Sequence, residues 1–276
     1  MTARLGLRFA ALAYLALLLA VPVGLVFWRT FQDGLDPVAR TLEDPGFLHA
    51  LWLTVVIAAI AVPANTIFGV LCAIVLVRQR FHGKRLLNAL IDLPFALSPV
   101  VVGLALVLVY GRHGWLGPWF EQNGIRVIFA VPGMVLATIF VSLPFVVREV
   151  VPVLREVGTD QEEAAWTLGA SPFATFSRVT LPAIRWGLTY GVVLTTARAL
   201  GEFGAVSVVS GRIEGRTETL TLHVQGSLEN FDRVGAYTAS VVLALLAVLT
   251  LLAMNIFRRK EAPRGHSRPA GQQALR

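Results

Sequence analysis

Apolar runs about as long as a membrane is thick alternate with short polar stretches along most of the chain. Four runs carry no charge: Phe9 to Trp28, Leu51 to Val77, Val127 to Val147 and Gly235 to Phe257. Each reaches the roughly 20 residues a helix needs to cross a hydrocarbon core. Two further runs are less regular. Leu93 to Tyr110 is uncharged but short and proline-bearing, and Gly187 to Ser210 contains Arg198 and Glu202. The pattern predicts an all-α, polytopic membrane protein of about six spans, because only helices satisfy every backbone group within a single crossing segment.

Between the fourth and fifth runs lies a polar interruption, EAAWTLGASPFATFSRVTLP, from Glu163 to Pro182. Thr159 followed three residues later by Glu162 has the form of a capping box, and Asp160, Glu162 and Glu163 are acids at the end of a helix that favours them. A short helix is expected from Asp160, with Ala164, Ala165 and Leu168 on one face and Gly169 ending it in a turn of positive φ. Ser171 and Pro172 suit the N-cap and first position of a second helix, carrying Phe173 and Phe176, which Leu181-Pro182 is expected to break. The result is a helix, a tight turn and a helix outside the bilayer.

Composition agrees with the pattern. The chain is 55% hydrophobic and 15% charged, against about 45 to 50% and 25% for soluble domains. Basic residues mark the cytoplasmic side. With six spans the termini share a side with the 163–182 segment, and that side holds sixteen of the 24 Lys and Arg; seven lie opposite and Arg198 lies within the membrane. Both termini and the polar segment are therefore assigned to the cytoplasm. The formal charge of +7 belongs to these flanks, where basic residues meet anionic lipid, and calls for no nucleic acid. The N-terminal run is too long for a secretory signal and lacks a small-residue cleavage site, so it is read as a retained span. The lone Cys72 allows no disulfide or cysteine metal site within one chain and is read as packing.

Residues 29–49 read as an external loop, rich in Gly and Pro. Pro63 and Asn65 would kink the second span and place it inside a bundle. Residues 79–88 form a short basic cytoplasmic loop. Pro94, Ser98, Pro99 and Gly103 make the third span too proline-rich for a straight helix, a form tolerated where backbone lines protein or a watery cavity. Trp115 and Trp119 are interfacial anchors. In the fifth span Arg198 and Glu202 stand four residues apart, on one helical face, about 16 Å into the membrane from Gly187. An unpaired charge there costs about 2.5 to 3.5 kcal/mol on insertion scales. The pair is either an internal lock between helices or part of a solute path. Gly187, Gly191, Thr195, Gly201, Gly204 and Ala205 keep the surrounding surface small enough for a second helix to approach.

Chemistry is conspicuously missing. No phosphate-binding loop occurs: near Gly83-Lys84, Arg78 stands where the first glycine belongs and Arg85 where the hydroxyl belongs. The five histidines have no metal-ligand spacing, and no activated nucleophile lies in a span. An enzyme, a bound cofactor and a metal are therefore not expected. A secondary transporter would show internal repeats and ion-binding groups at the midplane, and only Glu202 qualifies. A scaffold protein would use the polar segment for docking without any solute path.

The polar segment resembles the EAA loop of ABC importer membrane subunits: Glu-Ala-Ala, three residues, Gly, nine residues, Ile, one residue, Leu-Pro. Glu163, Ala164, Ala165, Gly169, Leu181 and Pro182 match, and Val179 replaces Ile. The strings LIDLPFALSPVVVG, GRHGWLGP, LPFVVREVVPVLREVGTDQEEAAWTLGAS and ARALGEFGAVSVVSG extend the likeness from Leu51 to Phe257. There the chain is similar to the W-type permease subunits of sulfate/thiosulfate ABC importers. The resemblance implies a type I importer permease in the inner membrane. Residues 1–46 would be a first span and external loop, 47–257 the transport domain and 258–276 a basic, disordered tail. It further implies an ABC ATPase docked on the EAA helix, a T-type permease as heterodimer partner and a periplasmic sulfate-binding protein. The segment from Ala199 to Ala205 is shared with molybdate and tungstate permeases, so it selects oxyanions as a class. Ser98, Thr195, Thr196 and Ser207 join Arg198 and Glu202 as candidates along the path, since hydroxyls and backbone amides can hold a tetrahedral oxyanion.

Overall fold

The structure, a computed structural model, describes residues 2–260, with side chains for residues 6–252. The tail after Lys260 lies outside the described residues. Helix α1 (Thr2–Leu15) runs through a π turn (Ala16–Ala20) into α2 (Val21–Phe31), followed by α3 (Asp36–Glu43) and the long α4 (Pro45–Arg78). Then come α5 (Lys84–Ala96), α6 (Pro99–Tyr110), α7 (Gly117–Gln122) and α8 (Val131–Val157). The polar segment forms α9 (Asp160–Thr167) and α10 (Pro172–Thr175), and a second π turn (Phe176–Thr180) leads into α11 (Leu181–Leu200). The described residues end with α12 (Gly204–Val209), α13 (Leu220–Glu229) and α14 (Arg233–Lys260). No strand occurs among the described residues.

Four of these stretches are long and apolar enough to cross a membrane: Gly6–Phe31, Pro45–Arg78, Val131–Val157 and Arg233–Leu252. A fifth arises if α5 and α6, bent by 113° at the Ser98-Pro99 break, count as one span. The proline-rich third run is thus broken, as its composition requires. The fifth expected run, Gly187 to Ser210, is not one helix. It divides into α11 and α12 across residues 201–203, and Arg185 and Arg198 lower the apolarity of the twenty-residue α11. Residues 29–49 are also more ordered than a loop: Pro37 in the first turn starts α3, and Asp44 caps α4 by accepting a hydrogen bond from the Phe47 amide at 2.8 Å. Residues 127–130 precede α8, which instead continues past Val147 to Val157, while α5 begins inside the expected basic loop.

Helices α4, α8 and α11 form the centre, with α5 against α8, α6 against α12, and α14 against α2, α11 and α13. The core has two halves. One gathers Leu53, Ile57, Met134, Val141 and Val206; the other gathers Val70, Leu76, Val147, Leu154 and Ile184. Between them Asn65 is fully buried, and its amide donates to the Ile139 carbonyl at 3.0 Å and to Ser142 Oγ at 2.8 Å. Pro63 lies within α4 without ending it, and this polar bridge ties the helix to α8 close by. Where α11 crosses α8, a Cβ on Gly191 would stand 2.9 Å from Val146 Cα, so only glycine admits the approach. The first span buries none of its apolar window within this chain.

Candidate functional site

The polar segment is built on the ends of three central helices. Helix α9 starts at Asp160 as its acids require, but the capping box is absent: Thr159 makes no cap and its hydroxyl bonds Glu163 Oε1 at 2.7 Å. Glu162 is diverted to a stronger partner. It is buried, and Arg78 at the end of α4 approaches it through Nε at 2.9 Å and Nη2 at 3.2 Å, while Thr180 donates to its Oε1 at 2.8 Å. The same guanidinium reaches the Leu154 carbonyl at 3.1 Å and the Gly158 carbonyl at 2.6 Å. One arginine therefore joins α4, the end of α8 and α9, using the fixed fork of donors that lysine lacks. Sequence reading weighted Glu163 and missed Arg78. The signal was a basic residue closing α4 and an acid at the start of α9, but they lie 84 positions apart.

Gly169 ends α9 at φ +81°, the left-handed turn expected of it, and Ser171 caps α10 by accepting from the Ala174 amide at 3.3 Å. Leu181-Pro182 does not break the helix. The π turn over residues 176–180 carries α10 straight into α11, a widened turn that gives the Pro182 ring room against the carbonyl four residues back. The tip is exposed: Leu168 is 88% and Phe173 79% accessible, with Trp166, Glu163 and Ala164 also on the surface and Ala165 half-buried. The expected small apolar face of Ala164, Ala165 and Leu168 thus points outward.

Arg198 and Glu202 are paired, Nη1 to Oε2 at 2.5 Å, but not on one helical face. Helix α11 ends at Leu200 and Glu202 sits in the break, only 3% exposed. Its Oε1 accepts from the Ala205 amide at 2.8 Å and so caps α12, and its carbonyl accepts from Thr221 at 2.8 Å. Thr195, one turn before Arg198, is fully buried, and its hydroxyl has no hydrogen-bond partner among the described residues. Thr196 and Ser207 spend their hydroxyls on the Val192 and Gly204 carbonyls. Ser98 is exposed at the start of α6, beside the start of α12, where a Cβ on Gly204 would meet Pro99 at 2.8 Å. The break thus gathers Ser98, Glu202 and Ser207 on neighbouring elements.

On the opposite end of the bundle from the polar segment, α13 packs on the start of α4. The Leu220 amide donates to Thr54 Oγ1 at 2.8 Å, and the His223 ring meets Phe47 edge-on with centroids 5.8 Å apart. Glu218 stands 3.5 Å from His223 Nδ1. Its hydrogen bond holds the imidazole pKa above the ordinary histidine value; burial opposes this, and the charges of Glu218, Asp44 and Glu214 add to it. Among the described residues no His, Cys, Asp and Glu cluster could hold a metal ion.

The geometry is that of a polytopic helical bundle whose apolar helices break at residues 97–98 and 201–203 and which projects an exposed helical tip from the ends of α8 and α11. The chain belongs to the family of binding-protein-dependent transport system inner membrane components, which it matches over residues 65–262. It is 54% identical over 250 residues to the sulfate transport system permease protein CysW of Synechocystis sp., covering 91% of each chain. Over 243 residues it is 51% identical to the protein of that name from Escherichia coli K12, covering 88% of this chain and 84% of that one. A chain in the crystal structure of a bacterial alginate ABC transporter, in complex with its alginate pentasaccharide-bound periplasmic protein, superposes with a TM-score of 0.77 at 16% identity. It covers 94% of each chain. The fold is that of type I ABC importer permeases, and the chain is a multi-pass membrane subunit rather than an enzyme.

Proposed function

We propose that the chain is the permease subunit of an ATP-driven importer that moves sulfate and thiosulfate into the cytoplasm. The observation that carries the substrate is the 54% identity, along 91% of the chain, to a permease named for sulfate transport. The coupling surface is the exposed tip of α9 and α10: Glu163, Ala164, Ala165 and Gly169 meet the ATPase, and Leu181 and Pro182 pass its movement into α11. The Arg78 to Glu162 bridge supports this reading, because it gives a push on the tip a direct route into α4 and α8. A T-type permease completes the pathway as a heterodimer partner, and a periplasmic binding protein delivers the anion at the α13 end. Both termini lie in the cytoplasm with the tip. The Arg198 to Glu202 pair holds the break between α11 and α12 in place, and Ser98, Thr195 and Ser207 flank the anion's route past it.

Uptake of labelled sulfate and of molybdate by cells lacking only this chain tests the reading. Sulfate uptake is expected to fall to background and return with the gene. Loss of molybdate uptake with sulfate uptake intact would replace the substrate.

A further inference from the structure

A cavity of about 700 Å³ opens between α5 and the last turns of α4 and α8. It lies near Arg78, at the same end of the bundle as the exposed tip. Lys84, Arg85, Arg148 and Arg155 line it together with Gly83 and Asn88, and no carboxylate does. Arg148 is neutralised by Asp92, its Nε lying 2.7 Å from Oδ1, and its Nη2 donates to Asn88 Oδ1 at 3.1 Å. Arg85 and Arg155 have no ion pair among the described residues, and Lys84 reaches only the Gln79 carbonyl at 3.3 Å. Three cations therefore share one opening without a counter-charge.

The start of α5 sharpens the imbalance. Its N-cap is Gly83, at φ +98°, which offers no side chain to the free amides, and the first turn holds no acid but Lys84 and Arg85 instead. Cations at the positive end of a helix repel its dipole, whereas an anion there is favoured by both dipole and amides. Helix end and cation cluster face the same volume, which is the size of a small-ligand site.

We infer that this cavity binds a tetrahedral oxyanion, either the phosphate of an anionic lipid headgroup or free sulfate, between the α5 N-terminus and the side chains of Arg85 and Arg155. The site goes beyond the importer reading, which enters only in the choice of sulfate as probe. The test uses the purified permease and ATPase complex without binding protein. Native mass spectrometry counts phosphatidylglycerol retained from mixed phosphatidylglycerol and phosphatidylcholine nanodiscs, and equilibrium dialysis measures labelled sulfate in phosphatidylcholine nanodiscs.

The double variant Arg85→Ala with Arg155→Ala should lower retention or affinity by about tenfold or more, the scale of two lost charge-assisted contacts. Arg85→Lys with Arg155→Lys should keep most of it. Loss confined to retention identifies a lipid headgroup, and loss confined to sulfate identifies a free oxyanion. Equal retention and equal sulfate binding in wild type and alanine variant overturn the site and leave the importer reading standing. Should the double variant fail to assemble, Arg155→Ala, at an exposed position on α8, carries the same comparison.

Discussion

Glu202 does three things at once: it pairs with Arg198, caps α12 and receives Thr221 on its carbonyl. Removing Arg198 leaves a buried carboxylate without its cation, and removing Glu202 costs the cap as well, about 1 kcal/mol. Residues that share a contact do not contribute independently. The Arg198→Leu and Glu202→Leu losses should therefore sum to more than the loss in the double variant, by about 1 to 3 kcal/mol. Thermal unfolding of the purified complex measures this, and strictly additive shifts would count against pairing. His223 offers a second test. Its raised folded-state pKa, caused mainly by Glu218, means that protonation stabilises the folded chain; that contribution is whole below about pH 6.5, the unfolded value, and is lost as pH rises through the folded value. The unfolding midpoint should fall over that window in wild type and not in His223→Gln. The i, i+4 spacing of Arg198 and Glu202 announced the pair in the sequence, but not that Gly201 would end the helix and free Glu202 to cap the next one. Likewise three acids opened α9 together, and nothing local said that Glu162 alone would be buried.

At the scale of elements, the tip is held by Arg78. Four donated hydrogen bonds from one guanidinium fix the ends of α4, α8 and α9 against one another. Lysine keeps the charge but cannot span those acceptors, so Arg78→Lys should behave nearly as badly as Arg78→Ala. Both are expected to insert and assemble while losing most of the sulfate-stimulated ATP hydrolysis of the complex; normal stimulation in either would detach the bridge from coupling. The helix start at Asp160, the turn at Gly169 and the cap at Ser171 were all legible, because each rests on one or two residues with strong local preferences. The continuity through Pro182 was not, since a π turn depends on tertiary packing that holds the widened turn. The bend at Pro99 and the break at 201–203 differ in the same way: proline announced the first, whereas the second takes both Gly201 at the end of α11 and the buried Glu202 carboxylate at the start of α12.

For the whole molecule, apolar run length identified the class and most of the spans, while the packing partners of α4, α8 and α11 came from contacts far apart in sequence. Orientation is open to direct test. Reporter fusions at Gly169 and Gly226 should report opposite sides of the membrane, and a shared location would contradict the sixteen to seven basic asymmetry. A permease driven through its exposed tip should depend on the turn at Gly169, where the positive φ penalises valine although the space around it is open. The most direct measurement is ATP-dependent uptake of labelled sulfate into proteoliposomes holding the complete transporter, with this chain either wild type or Gly169→Val. Uptake that requires ATP in the wild type and is lost in a variant that still assembles is the predicted result. Sulfate uptake undiminished by the substitution, or none in the wild-type complex, would contradict the account.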